Sequence, residues 1–410
     1  MRLKNVKIFL EDGTFQNGEV QIEGERFGQI CCDCKDSFSA SQAEDLKNTL
    51  LEHLKETGSS DAAVLVETAE ESLDGKGCYA IPGLIDIHFH GCMGEDFCNG
   101  TERAIATIAE YELSQGVTSI CPATMTLSEE HLMQVMGAAG RYSNEAGAEL
   151  IGINMEGPFL SYAKKGAQNP DYIIPCDVEL FRRLNQECGG LIKLVDIAPE
   201  EVGAAEFIAD CHEETNISLA HTAADYDTAL QAYRAGANHA THLYNAMLPF
   251  SHRSPGVIGA AADCDHVYVE LICDGIHIHP SVVRTTLKMF GEDRVVFISD
   301  SMEATGMPDG IYQLGGQKVY KKGKEAKLED GTIAGSASSL YDCLRTAVEQ
   351  MEIPLEIAVK CATINSARSI GMEQEYGSIA TGKFANLVLL DEKLQIQGIF
   401  LKGKAVNWKI

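Results

Sequence analysis

The sequence predicts an α/β protein, a (β/α)8 TIM-like barrel carrying a small β-sandwich domain built from both chain ends. Three observations predict it. Eight short apolar, β-branched runs follow residue 80, and helical patterns separate them. The runs are apolar almost without interruption, as strands buried on both faces must be, and strands joined through helices run parallel. Strand-rich segments stand at both chain ends, outside this rhythm. A doubly wound sheet is the other arrangement of such elements, but it does not naturally stop at eight units.

In chain order, the first strands are predicted over 6–10, 18–22 and 27–30, with Asp12 and Gly13 as turn residues between the first two. Residues 33–77 are polar and acidic. Ser41 and Glu44 have capping-box spacing, and Leu46, Leu50, Leu51 and Leu54 follow at helical spacing. One amphipathic helix is therefore expected within an insertion at about 33–62, then a strand over 63–67. The eight runs are 81–89, 117–122, 150–155, 191–197, 217–220, 239–243, 267–273 and 295–299. Helical patterns between them include 101–114, 128–144, 201–214, 226–235 and 281–290. A hairpin-like excursion over 312–330 comes next, then helices near 338–350 and 354–366. Strand patterns return at 377–379, 385–390, 395–401 and 404–408. The implied division is 1–80 for the first part of the β domain, 81–370 for the barrel and 371–410 for the rest of the β domain.

Composition narrows the function. Of 410 residues, 45% are hydrophobic and 23% charged, an ordinary globular balance. The formal net charge of −27 repels nucleic acid and anionic membranes. An anionic substrate would need specific Arg, His or backbone N–H groups to overcome that field. No apolar window reaches the roughly 18 to 20 residues of a membrane span. The N-terminal 13 residues have an apolar run broken by Lys7, without a cleavage-site pattern. The 14 cysteines are scattered, which predicts reduced thiols in a cytoplasmic protein. Cys31, Cys32 and Cys34 cluster but lack a second Cys/His pair to complete a zinc site.

The polar residues fall where a barrel keeps its chemistry. His88 and His90 close the first run, and strand alternation turns both to one side, where two imidazoles can hold a divalent cation. Taken alone, the pair also fits two satisfied histidines at a strand end. In a (β/α)8 barrel the site lies at the C-terminal strand ends. Glu156 follows the third run, His221 the fifth, His242 the sixth, Asp274 and His277 the seventh and Asp300 the eighth. So many ionisable groups at one mouth are costly unless a cation compensates. Imidazoles with carboxylates suit Zn, Fe(II), Mn or Co rather than calcium. A bound ion lowers the pKa of its water to about 7 and polarises a carbonyl. Asp300 is then the best candidate general base and, later, acid, in hydrolysis of an amide or ester-like bond. His239 and His279 read as bystanders.

These residues are similar to the signature of the amidohydrolase superfamily. Within it the chain resembles the N-acetylglucosamine-6-phosphate deacetylase family, in residues 82–91, 154–159, 164–170, 220–222, 241–247, 274–277, 299–302 and 377–383. The resemblance implies that Glu156, His221 and His242 hold a main metal ion. His88 and His90 would help to hold a second, giving one or two divalent ions per subunit. Zinc is the expected metal, with Fe(II), Mn or Co as alternatives. It makes Asp300 the catalytic acid/base, and has His277 contact the sugar or polarise the amide carbonyl. Asn245 and Ala246 would offer backbone N–H groups to a substrate phosphate. Arg253 would pair with that phosphate, reaching in from the neighbouring subunit of a homodimer. Gln168 stands where some family members have a sugar-contacting histidine; its amide can bond a hydroxyl but carries no proton. The implied reaction converts N-acetyl-D-glucosamine 6-phosphate to D-glucosamine 6-phosphate and acetate, in cytoplasmic amino-sugar catabolism. Two other readings stand beside it: an amidohydrolase for another N-acyl amino sugar or N-acyl amino acid, and a non-catalytic barrel scaffold. The scaffold reading is weakened because every ligand is present.

Overall fold

The computed structural model describes residues 1–32, 72–144 and 146–410. The predicted insertion at 33–62 with its capping box and helix, the strand expected over 63–67, and Cys34 lie outside the described residues.

Eight parallel strands carry the fold: β1 (Leu84–Asp86), β2 (Val117–Ile120), β3 (Ile153–Glu156), β4 (Ile192–Ile197), β5 (Asn216–Leu219), β6 (His239–Ala240), β7 (Tyr268–Ile272) and β8 (Val295–Ile298). β3 to β8 pair in sequence order as a six-stranded parallel sheet, and β1 pairs β2 in a second parallel sheet. Two contacts join these sheets into a curled whole. A parallel bridge links Ala123, beyond β2, to Asn154 of β3. At the other margin the Asp300 N–H donates to the His88 carbonyl at 2.9 Å.

The helices between strands follow their apolar spacing and are stopped by their caps. Thr101 caps Glu102–Ser114, Ser128 caps Glu129–Arg141 and Asp225 caps Tyr226–Ala235, each through a side-chain oxygen. Their inner faces bury Ile105, Leu132, Val135 and Tyr233 against the strands. Helix Val178–Glu187, between β3 and β4, was not among the predicted helical patterns.

The structure corrects five element boundaries. The run 81–89 is two strands, Tyr79–Pro82 and β1. A side chain at Gly83 would lie 2.1 Å from Thr118 Oγ1, so the chain crosses β2 too closely there for any residue but glycine. The run 150–155 also divides: Glu149–Leu150 pairs β2, and β3 pairs β4. The helix expected over 201–214 is Ala204–Cys211, starting after Gly203 at φ 85. That over 354–366 breaks into Leu355–Cys361 and Ile364–Ser369, because Thr363 (φ −135, ψ −89) is not helical. Residues 377–379 are not a strand. Gly377 turns the chain at φ 87, and Ser378 donates to Glu11 Oε1 at 2.8 Å.

Strands from both chain ends form one eight-stranded sheet. Its order is Lys404–Trp408, Ile396–Leu401, Leu387–Leu390, Tyr79–Pro82, Arg2–Phe9, Phe15–Glu23 and Arg26–Cys32, with Ser72–Asp74 also pairing Arg2–Phe9. It buries Leu3, Ile8, Val20, Phe27, Leu387 and Phe400. The excursion after β8 is a three-stranded antiparallel flap of Gly310–Leu314, Gln317–Lys322 and Glu325–Lys327. It is tied towards the strand ends by Gln317, whose amide donates to the Ala167 carbonyl.

Candidate active site

The C-terminal ends of the parallel strands converge on Glu156, the last residue of β3, which is almost completely buried. His221 Nε2 lies 2.9 Å and His242 Nε2 3.3 Å from its Oε1. The two ring nitrogens are 3.2 Å apart. His88 Nε2 stands 3.7 Å from the same oxygen. His90 Nε2 lies on the other side, 3.4 Å from Glu156 Oε2 and 3.3 Å from Asp300 Oδ1. β1 ends at Asp86, so the histidine pair follows the strand rather than lying on it. The two rings still meet edge to face, with centroids 5.7 Å apart.

Sharp turns at the strand ends aim these groups. Five non-glycine residues here have positive φ: His221 (42), His242 (29), Tyr244 (79), Ala246 (51) and Asp300 (49). Each such conformation costs about 1 kcal/mol or more, and concentration of that strain at one mouth marks a functional region. The ring orientations are set from behind. His221 Nδ1 donates to the Lys164 carbonyl at 2.9 Å, which leaves Nε2 as the lone-pair nitrogen of the neutral ring.

The donor set fits a cation. Donor atoms of His88, Glu156 and His242 lie within 4.8 Å of one another, as do those of His88, His90 and Asp300. His88 Nε2 is buried without a hydrogen-bond partner among the described residues. Imidazole nitrogens crowded against carboxylate oxygens are the ligand mixture that divalent transition ions take. Charge follows the same pattern. Burial opposes ionisation of Glu156, yet when the rings are protonated the His221 and His242 bonds and the His88 charge hold its carboxyl well below the usual range, the place a bound cation would take. Asp300 is also held down: burial opposes its charge, but the bond with His90 and the charge on His88 outweigh it.

Above these groups opens a cavity of about 400 Å³, lined by His90, Met125, Glu156, Lys164, Gln168, His221, His242, Asn245, Ala246, His277 and Asp300. Leu314, Thr332, Ile333 and Gly335 line it from the flap side. Asp274 fixes His277. Its Oδ1 accepts from the backbone N–H groups of Ile276 and His277, and its Oδ2 lies 2.8 Å from His277 Nδ1. Burial opposes protonation of His277, but the bond and charge of Asp274 raise its pKa above the ordinary imidazole value.

Two predicted residues, Gln168 and Asn245, have polar groups already engaged within the chain. Gln168 lines the cavity but is buried, and its amide is engaged: Nε2 donates to Glu156 Oε2 at 2.7 Å, and Oε1 accepts from the Thr126 N–H at 2.7 Å. The Asn245 N–H donates to the His242 carbonyl at 2.9 Å, closing a turn. Arg253 is exposed on the loop beyond Ala246 and does not line this cavity.

Sequence reasoning missed the layer beneath. Glu270, on β7, is fully buried and accepts from His88 Nδ1 and from the His242 N–H, both at 3.0 Å. His239, read as a bystander, places Nε2 3.1 Å from Glu270 Oε1. Asp86 accepts from the Ser299 hydroxyl at 2.5 Å, and burial pushes its carboxyl up to about 7. Asp196, on β4, accepts from the Thr241 hydroxyl at 2.8 Å. One signal could have found them: lone carboxylates inside otherwise apolar strands.

Residues 79–406 match the amidohydrolase family. The chain is 39% identical over 322 residues to an N-acetylglucosamine-6-phosphate deacetylase of Bacillus subtilis (strain 168), covering 77% of this chain and 81% of that protein. It is 32% identical to an N-acetylgalactosamine-6-phosphate deacetylase of Escherichia coli O157:H7, over 80% of this chain and 87% of that one. The fold is similar to the crystal structure of N-acetylglucosamine-6-phosphate deacetylase from Pasteurella multocida. That likeness has a TM-score of 0.85 at 26% identity and covers 98% of each chain.

Proposed function

This chain belongs to the amidohydrolase family, and from that membership we propose that it is a metal-dependent deacetylase in amino-sugar metabolism. It hydrolyses the acetamide of N-acetyl-D-glucosamine 6-phosphate, releasing acetate and D-glucosamine 6-phosphate. The observation that carries this reading is the convergence of His221 and His242 on one oxygen of Glu156, and of His90 on the other, beside Asp300.

Glu156, His221 and His242 hold the main ion in this proposal, and His88 and His90 help to hold a second. Zinc suits the ligands, as do Fe(II), Mn and Co. When bound, the ion acidifies a water and polarises the acetamide carbonyl. The chain's own groups do the rest. Asp300, ionised, takes the proton of the attacking water and delivers it to the departing amine. His277, held by Asp274 and kept basic by it, donates from Nε2 to the carbonyl oxygen as negative charge builds there. Gln168 keeps Glu156 in place and so acts on the ion rather than on the sugar. The turn bearing Ala246 and Asn245 receives the phosphate, with the Ala246 N–H as its donor.

The same proposal extends to the assembly. Arg253, exposed and outside the lining of its own cavity, meets the phosphate of the neighbouring subunit in a homodimer. The joined margins of the two parallel sheets support a closed (β/α)8 barrel over 81–370, and the end sheet, over 1–80 and 371–410, folds as a small β-sandwich. The acidic surface and the buried thiols of Cys92, Cys121, Cys273 and Cys361 suit the cytoplasm; among the described residues no helix is long and apolar enough to cross a membrane.

Acetate release tests the function. After chelation both the phosphorylated and the unphosphorylated N-acetyl sugar should be inert; restoring Zn, Fe(II), Mn or Co should revive turnover of the phosphorylated one. Turnover unaffected by complete chelation, or no preference for the phosphorylated sugar, would sink the reading. A second reading, deacetylation of the galactose epimer, is favoured by the Escherichia coli relative. The ratio of kcat/KM for the two epimers decides between them.

A further inference from the structure

We propose that Glu270, backed by His239, is a positioning residue that sets the affinity of the metal centre by orienting His88 and anchoring the turn that carries His242. The inference rests on the metal-site reading above. Glu270 and His239 lie on adjacent strands, β7 and β6, and both are fully buried. One Glu270 oxygen, Oε2, accepts from the His88 ring and from the His242 backbone, each at 3.0 Å. A carboxylate only accepts, so His88 Nδ1 carries the hydrogen and Nε2 keeps its lone pair. That Nε2 is the buried nitrogen without a hydrogen-bond partner among the described residues, 3.7 Å from Glu156 Oε1 and 3.9 Å from Asp300 Oδ1. The other oxygen, Oε1, faces His239 Nε2 at 3.1 Å.

Two N–H groups therefore meet on one carboxylate oxygen, and through it Glu270 reaches both halves of the centre: His88 on the side shared with His90 and Asp300, His242 on the side shared with His221. Such a carboxylate behind a ligand histidine fixes its tautomer and ring angle and raises its basicity, and its loss typically weakens metal binding 10- to 100-fold. Glutamine has the same shape but is neutral, so its one acceptor oxygen holds the His88 and His242 N–H groups less strongly than a carboxylate does. Glu270→Gln removes the charge behind both while conserving volume.

The experiment measures ion affinity on the whole protein. Protein stripped with a chelator is titrated with Zn(II), in competition with an indicator chelator, for the unsubstituted chain, Glu270→Gln, His88→Asn and the double variant. Thermal scans of each metal-free protein report on the fold. Glu270→Gln should weaken Zn(II) binding about 10- to 100-fold, and the loss should be smaller when His88 is already Asn, because part of the effect passes through that ring. Unchanged affinity in Glu270→Gln, or an equal loss in both backgrounds, overturns the proposal. Should Glu270→Gln fail to fold, Glu270→Asp keeps the charge and withdraws it by one methylene; a folded Glu270→Asp with native affinity overturns it equally. An unsubstituted chain with no affinity for Zn(II), Fe(II), Mn or Co would instead overturn the metal-site reading itself.

Discussion

Asp300 combines what a proton carrier needs: a carboxyl held ionised by His90 and His88, burial under the mouth, and a backbone pinned to the His88 carbonyl. Asp300→Asn removes the capacity to take up and return a proton while keeping the side chain's shape. Turnover should fall about 10²- to 10⁴-fold, with metal content unchanged by elemental analysis; retained activity would contradict the assignment. Under the proposed function Arg253 meets the substrate's phosphate. A charge-assisted hydrogen bond contributes about 1.5–3 kcal/mol, so Arg253→Ala should raise KM for the phosphorylated sugar roughly 10- to 100-fold and leave an unphosphorylated substrate nearly unaffected. Equal effects on both would remove Arg253 from the site. The first-rank polar residues were legible because each directly follows an apolar run. Glu270 and His239 were not, since their partners come from three strands far apart in sequence, and only strand packing brings them within 3.1 Å.

At the scale of the element, helix Glu102–Ser114 carries an unusual load. Its apolar spacing reads as an ordinary amphipathic helix, but its inner face includes Glu112, fully buried with neither carboxyl oxygen hydrogen-bonded among the described residues. Burial, with Asp86 and Asp342 adding to it, raises this carboxyl well above the ordinary value, so the native chain keeps it protonated. The unfolded chain ionises it from about pH 4.5 upward and thereby gains protonation free energy that the native state does not. Glu112 therefore costs stability increasingly as pH rises, by at most about 1.4 kcal/mol per pH unit. Glu112→Met should be stabilising at pH 8 and much less so at pH 5, by thermal or denaturant unfolding of the metal-loaded protein. An identical difference at both values would refute a buried neutral acid. The two divided runs teach a related lesson. Hydrophobicity marks a segment as buried, but says nothing of which sheet it joins, and Gly83 sends the halves of one apolar run into different sheets.

For the whole molecule, the candidate ions and the fold are coupled. A ligand that binds only the native state stabilises it by about 2.7 kcal/mol at 100 times its Kd. The proposed ligands follow β1, β3, β5 and β6, so the ions would tie both parallel sheets together. Chelation should lower the calorimetric Tm by on the order of 5 °C, and readdition of Zn(II) should restore it. An unchanged Tm would show that the centre contributes nothing to closure. The net charge of −27 makes the concentration of histidines at this mouth more telling, since the rest of the surface repels an anion.

By itself the sequence determined the number and order of the parallel strands, most of the helices between them and the chemistry of the residues at their ends. Those follow from local periodicity and from residue chemistry, which a linear chain carries in full. Tertiary structure alone decided three things. It divided apolar runs between sheets, because pairing partners lie far apart in the chain. It engaged the Gln168 amide with Glu156 and Thr126, because a buried amide must satisfy both its donor and its acceptor where it stands. And it set Glu270 behind His88 and His242, because the inside of a curled parallel sheet brings its neighbouring strands' side chains to one place.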